Sequence, residues 1–177
     1  MALSAPTRLE AHHDLDGFDC GVPALDDWLK RRARNNAAQG ASHTYIVTDA
    51  PAASSPSHAR PVVAYYALAA GAVDIAAAPG KFRRNMPDPI PVVVLGRFAI
   101  DKRLHGRGLG RALFSDAGLR VLQAADIIGV RGLLVDAISD DAKAFYLAIG
   151  MVVSPLSDMT LMVTLPDLRA SLGAMRP

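Results

Sequence analysis

Apolar positions along the chain recur with two different periods, and the change of period divides it into predicted strands and helices. Short apolar runs rich in valine, isoleucine and tyrosine predict strands at residues 43–49, 61–76, 92–100 and 131–138. Alternation predicts a last strand at residues 159–165, stopped by Pro166, and a short first strand is predicted at 7–11. The alanine-rich run at 61–76 is interpreted as a strand with its partner turn, although its composition also suits a helix.

Helical spacing marks a segment near the start of the chain, residues 24–39. Leu25, Trp28 and Leu29 share one face, and the opposite face is basic, so this helix is amphipathic. Pro23 suits its first position and Gly40 its end. Trp28 is therefore predicted to anchor this helix in the core.

Two further helices are predicted in the second half of the chain. One begins at Gly110 and runs to residue 122. The other follows Ser139, whose side chain can cap it, and ends at Gly150. Its apolar stripe consists of Ala142, Phe145, Tyr146 and Ile149.

Two proline-containing segments, residues 50–60 and 77–91, are predicted as loops. The second presents Lys81, Arg83 and Arg84 beside a predicted central strand, which makes it a candidate for a functional loop. The resulting order, β-α-β-β-β-α-β-α-β, indicates an α/β fold.

Length and composition limit the class of protein. A chain of 177 residues with 51% hydrophobic and 20% charged residues suits one globular domain, interpreted as residues 1–177. The longest apolar run is too short to cross a bilayer, and the first ten residues lack a signal-peptide pattern. We therefore expect a cytoplasmic protein without a membrane partner. The single Cys20 excludes an internal disulfide and a cysteine-rich metal site, so no metal is expected.

Net charge is +2, but the basic residues gather in three places. These clusters are residues 30–34, 81–84 and 97–111. A single basic cluster usually forms a solvated surface. Three clusters that converged in space would suit a polyanionic partner.

Residues 92–111 carry the clearest candidate chemistry. An apolar strand is followed by a basic turn, and Gly108 and Gly110 then begin a helix. This order offers unpaired main-chain N–H groups to an anion, and glycine lets the backbone approach it closely. Arg107 and Arg111 add positive charge where a diphosphate would lie. The pattern favours a phosphate-bearing cofactor, although glycine turns before helices are also common structural features.

Two familiar nucleotide motifs are absent from the sequence. The dinucleotide fingerprint requires a third glycine at a spacing where Phe114 and its neighbours stand, and no Gly-Lys-Ser/Thr triplet occurs. A Rossmann cofactor and a nucleoside triphosphate are therefore disfavoured.

Residues 105–110, His-Gly-Arg-Gly-Leu-Gly, resemble the first signature of the GNAT acetyltransferases, Gln/Arg-x-x-Gly-x-Gly/Ala after a strand. Residues 142–151 are similar to the second, Ala-x-x-Phe-Tyr-x-x-x-Gly-Phe. The chain departs from these signatures at His105 and at Met151. The resemblance implies a GNAT fold, with a mixed, mostly antiparallel sheet of six to seven strands and about four helices.

The resemblance also implies acetyl-CoA as co-substrate and a set of site residues. The cofactor-binding residues would be Phe98, Ile100, His105, Gly106, Arg107, Gly108, Gly110 and Arg111. A main-chain N–H near Phe98, freed by a bulge at Gly96, would hold the oxyanion. Tyr146 would be the general acid that protonates the thiolate, whereas its spacing alone would make it a core residue.

The predicted cofactor strand contains no carboxylate, and Asp101 lies beyond its end. A lysine amine, with a pKa near 10.4, would need a base, whereas an α-amine with a pKa near 8 needs little help. The missing base therefore favours an α-amino substrate, unless a water chain takes the proton.

Several pieces across the chain resemble the aminoacyl-tRNA-acetylating toxins of type II toxin–antitoxin systems. They are residues 18–29, 95–101, 142–146 and 165–169. This resemblance implies aminoacyl-tRNA as substrate, bound by Arg83, Arg84 and Arg97, and blocked translation as the outcome. It also implies a ribbon-helix-helix antitoxin as partner and, because similar toxins are often dimers, a homodimer. One alternative is acetylation of a small amine or a protein N-terminus. The others are a non-catalytic CoA-dependent binding module, or a chain that is chiefly the antitoxin-bound half of a repressor.

Overall fold

The computed structural model describes residues 2–50 and 60–176, so the loop predicted at 50–60 lies almost entirely outside the described residues. The first half contains β1 (Ala2–Leu3), β2 (Thr7–Arg8), α1 (Pro23–Arg31), α2 (Ala33–Ala38), β3 (His43–Ala50) and β4 (Val62–Val73). A 3-10 turn (Ile75–Ala77), α3 (Gly80–Arg83) and β5 (Ile90–Ile100) follow. The second half contains a 3-10 turn (Lys102–Leu104), α4 (Leu109–Ala125), β6 (Gly132–Asp136), α5 (Asp140–Ala148), β7 (Val152–Val153), β8 (Thr160–Thr164) and α6 (Leu165–Met175).

The strands form one sheet in the order β1-β3-β4-β5-β6-β8-β7, and β2 pairs with β3 off this path. β5 and β6 run parallel, whereas β3–β4, β6–β8 and β7–β8 are antiparallel. This mixed, mostly antiparallel sheet confirms the predicted fold class. Eight strands rather than six or seven are described. β2 lies within the strand predicted at 7–11, whereas β1 and β7 are two-residue strands that were not predicted, because a strand of two residues shows no alternation.

Packing contacts divide the described chain into two compact units. Unit 1 comprises the described residues of Met1–Leu68 and Arg97–Phe114, and unit 2 those of Ala69–Gly96 and Ser115–Pro177. The single-domain interpretation of residues 1–177 stays a prediction.

Unit 1 is built around the amphipathic segment after Pro23, which begins α1 as predicted. Leu25 and Leu29 are buried, and Trp28 packs on the same cluster, stacked 6.0 Å from the Tyr65 ring. The predicted single helix over 24–39 is wrong: it breaks at Arg32, whose φ of −118° departs from the helical value near −63°. The break separates two short helices, and Ala33 at the start of the second is fully buried.

Unit 2 has its core around Phe82, Ile90 and Met162. The prediction of a loop over 77–91 is wrong in part, because α3 lies within it and β5 already begins at Ile90. β4 is one continuous strand over Val62–Val73, so the predicted strand is confirmed and its helical alternative is wrong. The 3-10 turn at Ile75–Ala77 follows it.

The end of the chain also differs from the sequence interpretation. Pro166 does stop β8, but it occupies the first turn of α6, a helix that the strand pattern did not predict. The Thr164 side chain caps α6 by accepting from the Asp167 N–H. Leu168 and Leu172, one turn apart, bury its inner face. Among the described helices, none combines the length and apolar character needed to cross a bilayer.

Candidate active site

The predicted glycine turn lies between the end of β5 and the start of α4. Gly106 and Gly108 have φ of +75° and +77°, which side chains with a Cβ rarely adopt. A Cβ built at either position would meet nothing within 4 Å, so the backbone there is open to a ligand. Gly110 lies in the first turn of α4. The turn is therefore shaped for close approach by another molecule.

The turn presents main-chain donors. Within the described residues, the N–H groups of Gly106, Arg107 and Gly108 donate to no main-chain carbonyl. The first N–H groups of α4, beginning at Leu109, have no partner within a helix, and the helix dipole adds partial positive charge there. A pocket of about 270 Å³ adjoins these donors, lined by Leu3, Leu104, Arg107, Gly108, Leu109 and Ala112.

Side-chain charge around the turn divides into two groups. Lys102 is paired with Asp19, and Arg103 with Asp101, so these two cations are neutralised within the chain. Arg107 and Arg111 are exposed and form no ion pair with any described residue. The uncompensated charge thus lies beside the open N–H groups, as an anion site requires.

The turn is braced by Asp101, which sequence analysis noted only as lying beyond the strand. Its carboxylate is 1% exposed and accepts from the Arg103 Nε at 2.8 Å, the Arg103 N–H at 3.0 Å and the Asp19 N–H at 3.3 Å. Burial alone would raise the pKa of Asp101, but these hydrogen bonds outweigh burial and lower it. Asp101 is thereby held as a carboxylate whose lone pairs are occupied, so it is unsuited to act as a base. An Asp followed two residues later by its donor is an Asx-turn signal that could have identified this brace.

His105 occupies the position where the signature has Gln or Arg. Its Nε2 lies 2.7 Å from the main-chain oxygen of Ile100, the last residue of β5. Because a carbonyl only accepts, the ring donates an Nε2–H to it. This contact ties the two ends of the turn together. The predicted role of His105 in cofactor binding stays a prediction, and its side chain serves the turn itself.

The two strand residues predicted to contact the cofactor, Phe98 and Ile100, lie in the last part of β5 and are half-buried. Gly96, on the same strand, is exposed, and a Cβ there would meet nothing within 4 Å. The bulge and the oxyanion donor near Phe98 remain predictions.

Tyr146 lies on α5, in unit 2. The Ser139 hydroxyl caps this helix by accepting from the Ala142 N–H at 3.1 Å, as predicted, and Gly150 follows its end with φ +100°. Tyr146 is 5% exposed, and burial raises the pKa of its hydroxyl. The phenol therefore stays protonated at neutral pH and can serve only as a proton donor there. Phe145, predicted as core, is half-buried with its ring edge-on to Tyr146 at 5.3 Å.

The three arginines predicted to bind substrate differ in surroundings. Arg83, at the end of α3, and Arg84 are exposed and form no ion pair with a described residue. The Arg97 guanidinium lies over the Trp28 ring at 5.2 Å and is thus held by packing in unit 1. Among the described residues, no group of three or more His, Cys, Asp or Glu side chains could hold a metal ion.

The residues at the turn fit the diphosphate of coenzyme A. The open space around Gly106 and Gly108 allows close approach, the N–H groups there have no main-chain acceptor within the described residues, and Arg107 and Arg111 supply positive charge without an ion-pair partner among them. A strand that leads into such a turn and helix, within a mostly antiparallel sheet, defines the class of GNAT-type acyltransferases.

Comparison with known proteins agrees with this class. No protein-family model matches the chain. It is 44% identical over 170 residues to the tRNA-acetylating toxin of Mycobacterium tuberculosis, covering 96% of this chain and 97% of the relative. The chain therefore belongs to the family of tRNA-acetylating toxins.

Solved structures of two toxins superpose on nearly the whole chain. A tyrosine-to-phenylalanine variant of KacT matches with a TM-score of 0.86 and 25% identity, covering 96% of this chain and 99% of KacT. AtaT in complex with acetyl-methionyl-tRNAfMet matches with a TM-score of 0.84 and 29% identity, covering 96% and 98%. AtaT has also been solved with its antitoxin AtaR and acetyl-CoA, and KacT as the KacTA–DNA complex.

Proposed function

We propose that this chain transfers acetyl from acetyl-CoA to the α-amine of the amino acid on an aminoacyl-tRNA, which blocks translation. The observation that carries the proposal is the open turn with two left-handed glycines at the start of α4, in a chain of this family. The tRNA-bound AtaT structure and the name of the mycobacterial relative support the same substrate class.

Each part of the site has a task in this reaction. The N–H groups at Gly106, Arg107 and Gly108, with Arg107 and Arg111, bind and orient the diphosphate. As the amine nitrogen bonds to the acetyl carbon and the carbon–sulfur bond breaks, the electron pair goes to sulfur. Tyr146 donates its phenolic proton to that sulfur, and the proton lost by the amine goes to water. The phenol then regains a proton from solvent, so the enzyme is unchanged.

The structure supports an α-amine in preference to a lysine. The Asp101 carboxylate accepts four hydrogen bonds, three from Arg103 and one from the Asp19 N–H. Asp136, on β6, accepts a hydrogen bond from the Thr160 hydroxyl. Neither carboxylate is placed as a free base. An α-amine, with a pKa near 8, already has about one fifth of its molecules neutral at physiological pH without a base, whereas a lysine amine with a pKa near 10.4 has about one in a thousand.

The binding partner, the oligomeric state and the cellular location are inferred from relatives in the family. We propose a ribbon-helix-helix antitoxin as partner, as the AtaT–AtaR and KacTA complexes suggest for relatives, together with a homodimer and a cytoplasmic location. Which amino acid or tRNA is preferred would be decided by assay.

Incubation of the purified chain with radiolabelled acetyl-CoA and, separately, charged tRNAs, polyamines and peptides tests the proposal. We expect label on charged tRNA, released by mild base as an N-acetyl amino acid. Label on polyamines or peptides alone would point to a small-amine or N-terminal acetyltransferase. Binding of acetyl-CoA without transfer to any acceptor would point to a non-catalytic module.

A further inference from the structure

The basic arm, defined as residues 80–84, consists of α3 and Arg84 and lies in unit 2. It presents the two exposed arginines of the proposed tRNA contact, Arg83 and Arg84. A helix of four residues cannot hold its shape by its own hydrogen bonds, because helix nucleation is unfavourable and the last carbonyls have no intrahelical donor. Something outside the arm must therefore keep it folded.

Arg131 supplies the missing donors. Its Nε donates to the Phe82 carbonyl and its Nη2 to the Lys81 carbonyl, both at 2.8 Å. The planar guanidinium can bridge two neighbouring carbonyls at once, which a lysine ammonium does less well. Its positive charge also suits the negative end of a helix.

Arg131 is itself held rigidly. Its main-chain N–H donates to the Pro91 carbonyl at 2.8 Å, and its carbonyl accepts from the Leu165 N–H at 3.2 Å. The guanidinium that holds the arm therefore extends from a residue whose main chain is hydrogen-bonded to the start of β5 and to the start of α6.

Two other contacts fasten the arm to the same unit. Phe82 is 2% exposed, and a Cβ at Gly132, next to Arg131, would lie 2.9 Å from its ring. The Lys81 ammonium lies 2.7 Å from the Asp167 carboxylate. These side-chain contacts engage Lys81 and Phe82, whereas the Arg83 and Arg84 side chains are exposed.

We propose that Arg131 is a positioning residue for tRNA binding: it fixes the basic arm so that Arg83 and Arg84 meet the phosphate backbone without first being ordered. This inference rests on the proposed function, because it takes tRNA as the substrate. Ordering an arm at the moment of binding costs conformational entropy, and preorganisation removes that cost. Arg131 therefore acts through the arm, and its loss weakens tRNA binding while acetyl-CoA binding is unchanged.

Steady-state kinetics and amide exchange of Arg131→Gln and Arg131→Lys test the role. We expect Arg131→Gln to raise KM for charged tRNA about tenfold with kcat within twofold, and Arg131→Lys to recover part of the loss. The acetyl-CoA Kd should not change. Amide hydrogen exchange should accelerate at residues 80–86. The matched control is Arg169→Gln, which also removes one cation from unit 2, the exposed arginine of α6, and should leave KM within twofold.

A double-mutant cycle separates positioning from direct contact. In the Arg83→Ala/Arg84→Ala background, Arg131→Gln should add no further increase in KM, because the arm no longer carries the charges that it positions. An additive increase would show that Arg131 binds tRNA itself and would overturn the inference. Unchanged KM and unchanged exchange in Arg131→Gln would also overturn it.

The same cycle distinguishes failure of the inference from failure of the proposed function. If Arg83→Ala/Arg84→Ala leaves tRNA KM unchanged while the wild type acetylates charged tRNA, the arm is not the tRNA contact and the inference fails. If the wild type acetylates no charged tRNA, the proposed function is wrong, and the role of Arg131 in tRNA binding is wrong with it. Faster exchange at residues 80–86 in Arg131→Gln would still establish the anchoring itself.

Discussion

Replacing Tyr146 with phenylalanine removes one oxygen and keeps the aromatic ring. The side chain is 5% exposed, so the ring's packing in α5 should be retained and the free energy of unfolding should change by about 1 kcal/mol at most. Because the fold is preserved, any large loss of activity can be assigned to the missing phenolic proton.

The size of the loss follows from the pKa of the phenol. A positioned general acid contributes roughly 10²–10⁴-fold to a rate. Burial raises the pKa of Tyr146 above its ordinary value near 10, whereas a thiol has a pKa near 8.5, so full proton transfer is uphill by about 2 kcal/mol or more. The contribution should therefore lie in the lower half of the range, and we expect kcat to fall about 10²–10³-fold.

Single-turnover acetylation of charged tRNA, with the acetyl-CoA Kd from calorimetry, measures this effect. The Kd should be unchanged. Tyr65→Phe is the matched control, because it removes another buried hydroxyl, one that donates to the Leu25 carbonyl at 2.7 Å. That variant should lose stability and keep its kcat. A kcat for Tyr146→Phe within threefold of wild type would remove Tyr146 from the mechanism.

The pH profile gives a second check on the same residue. A raised pKa keeps the phenol protonated below that pKa, and its donor function is lost only as pH rises through it, above pH 10. We expect kcat/KM to rise through pH 8 as the α-amine loses its proton and then to stay level to pH 10. An amide-linked aminoacyl analogue survives this range. An alkaline decline centred below pH 10 would contradict the assignment.

Variants at three further positions test the turn and the sheet. His105→Gln, which keeps a side-chain donor for the Ile100 carbonyl, should bind acetyl-CoA like wild type, whereas His105→Ala should raise the acetyl-CoA Kd about three- to tenfold. Equal Kd values for the two variants by calorimetry would refute the role of this hydrogen bond. Asp101→Asn should remove part of the acid dependence of stability. The lowered pKa of Asp101 stabilises the fold above about pH 4, and this stabilisation is lost as pH falls through the folded-state pKa. The unfolding midpoint of the variant should therefore vary less between about pH 6 and pH 3 than that of the wild type. Gly132→Ala should destabilise the protein by roughly 3 kcal/mol or more in denaturant unfolding, because its Cβ would clash with the Val163 carbonyl oxygen. A wild-type midpoint would refute the close packing of β6 on β8.

The glycine turn was predictable because its signals are local. The strand pattern, the glycines and the following helix all lie within about 20 positions, and the structure has the strand, the turn and the helix in that order. Of the two glycines predicted to open the helix, Gly108 adopts positive φ, whereas Gly110 lies within α4 and Gly106 is the second left-handed residue. Ser139 and Gly150 likewise identified the ends of α5 from their own chemistry.

The basic arm was not predictable in the same way. Clustered prolines indicated a loop over 77–91, but α3 forms because Arg131, about 50 residues away, donates to its carbonyls. The break at Arg32 within the predicted first helix also depends on packing, because periodicity continues through it. α6 is different: its Thr164 cap, Pro166 and Asp167 were local signals of a helix start that the alternating strand pattern concealed.

The chain by itself indicated the fold class and the glycine turn, because periodicity and the positions of glycines are short-range properties. Tyr146 was named as general acid only through the resemblance to the second GNAT signature, since its spacing alone predicts a core residue. Tertiary structure decided how those parts are used. It brought the Asp19 N–H onto Asp101, 82 residues along the chain, paired Asp19 with Lys102, and placed the Arg131 guanidinium on two carbonyls of α3. Hydrogen bonds between residues distant in sequence control these outcomes, and no local pattern encodes them.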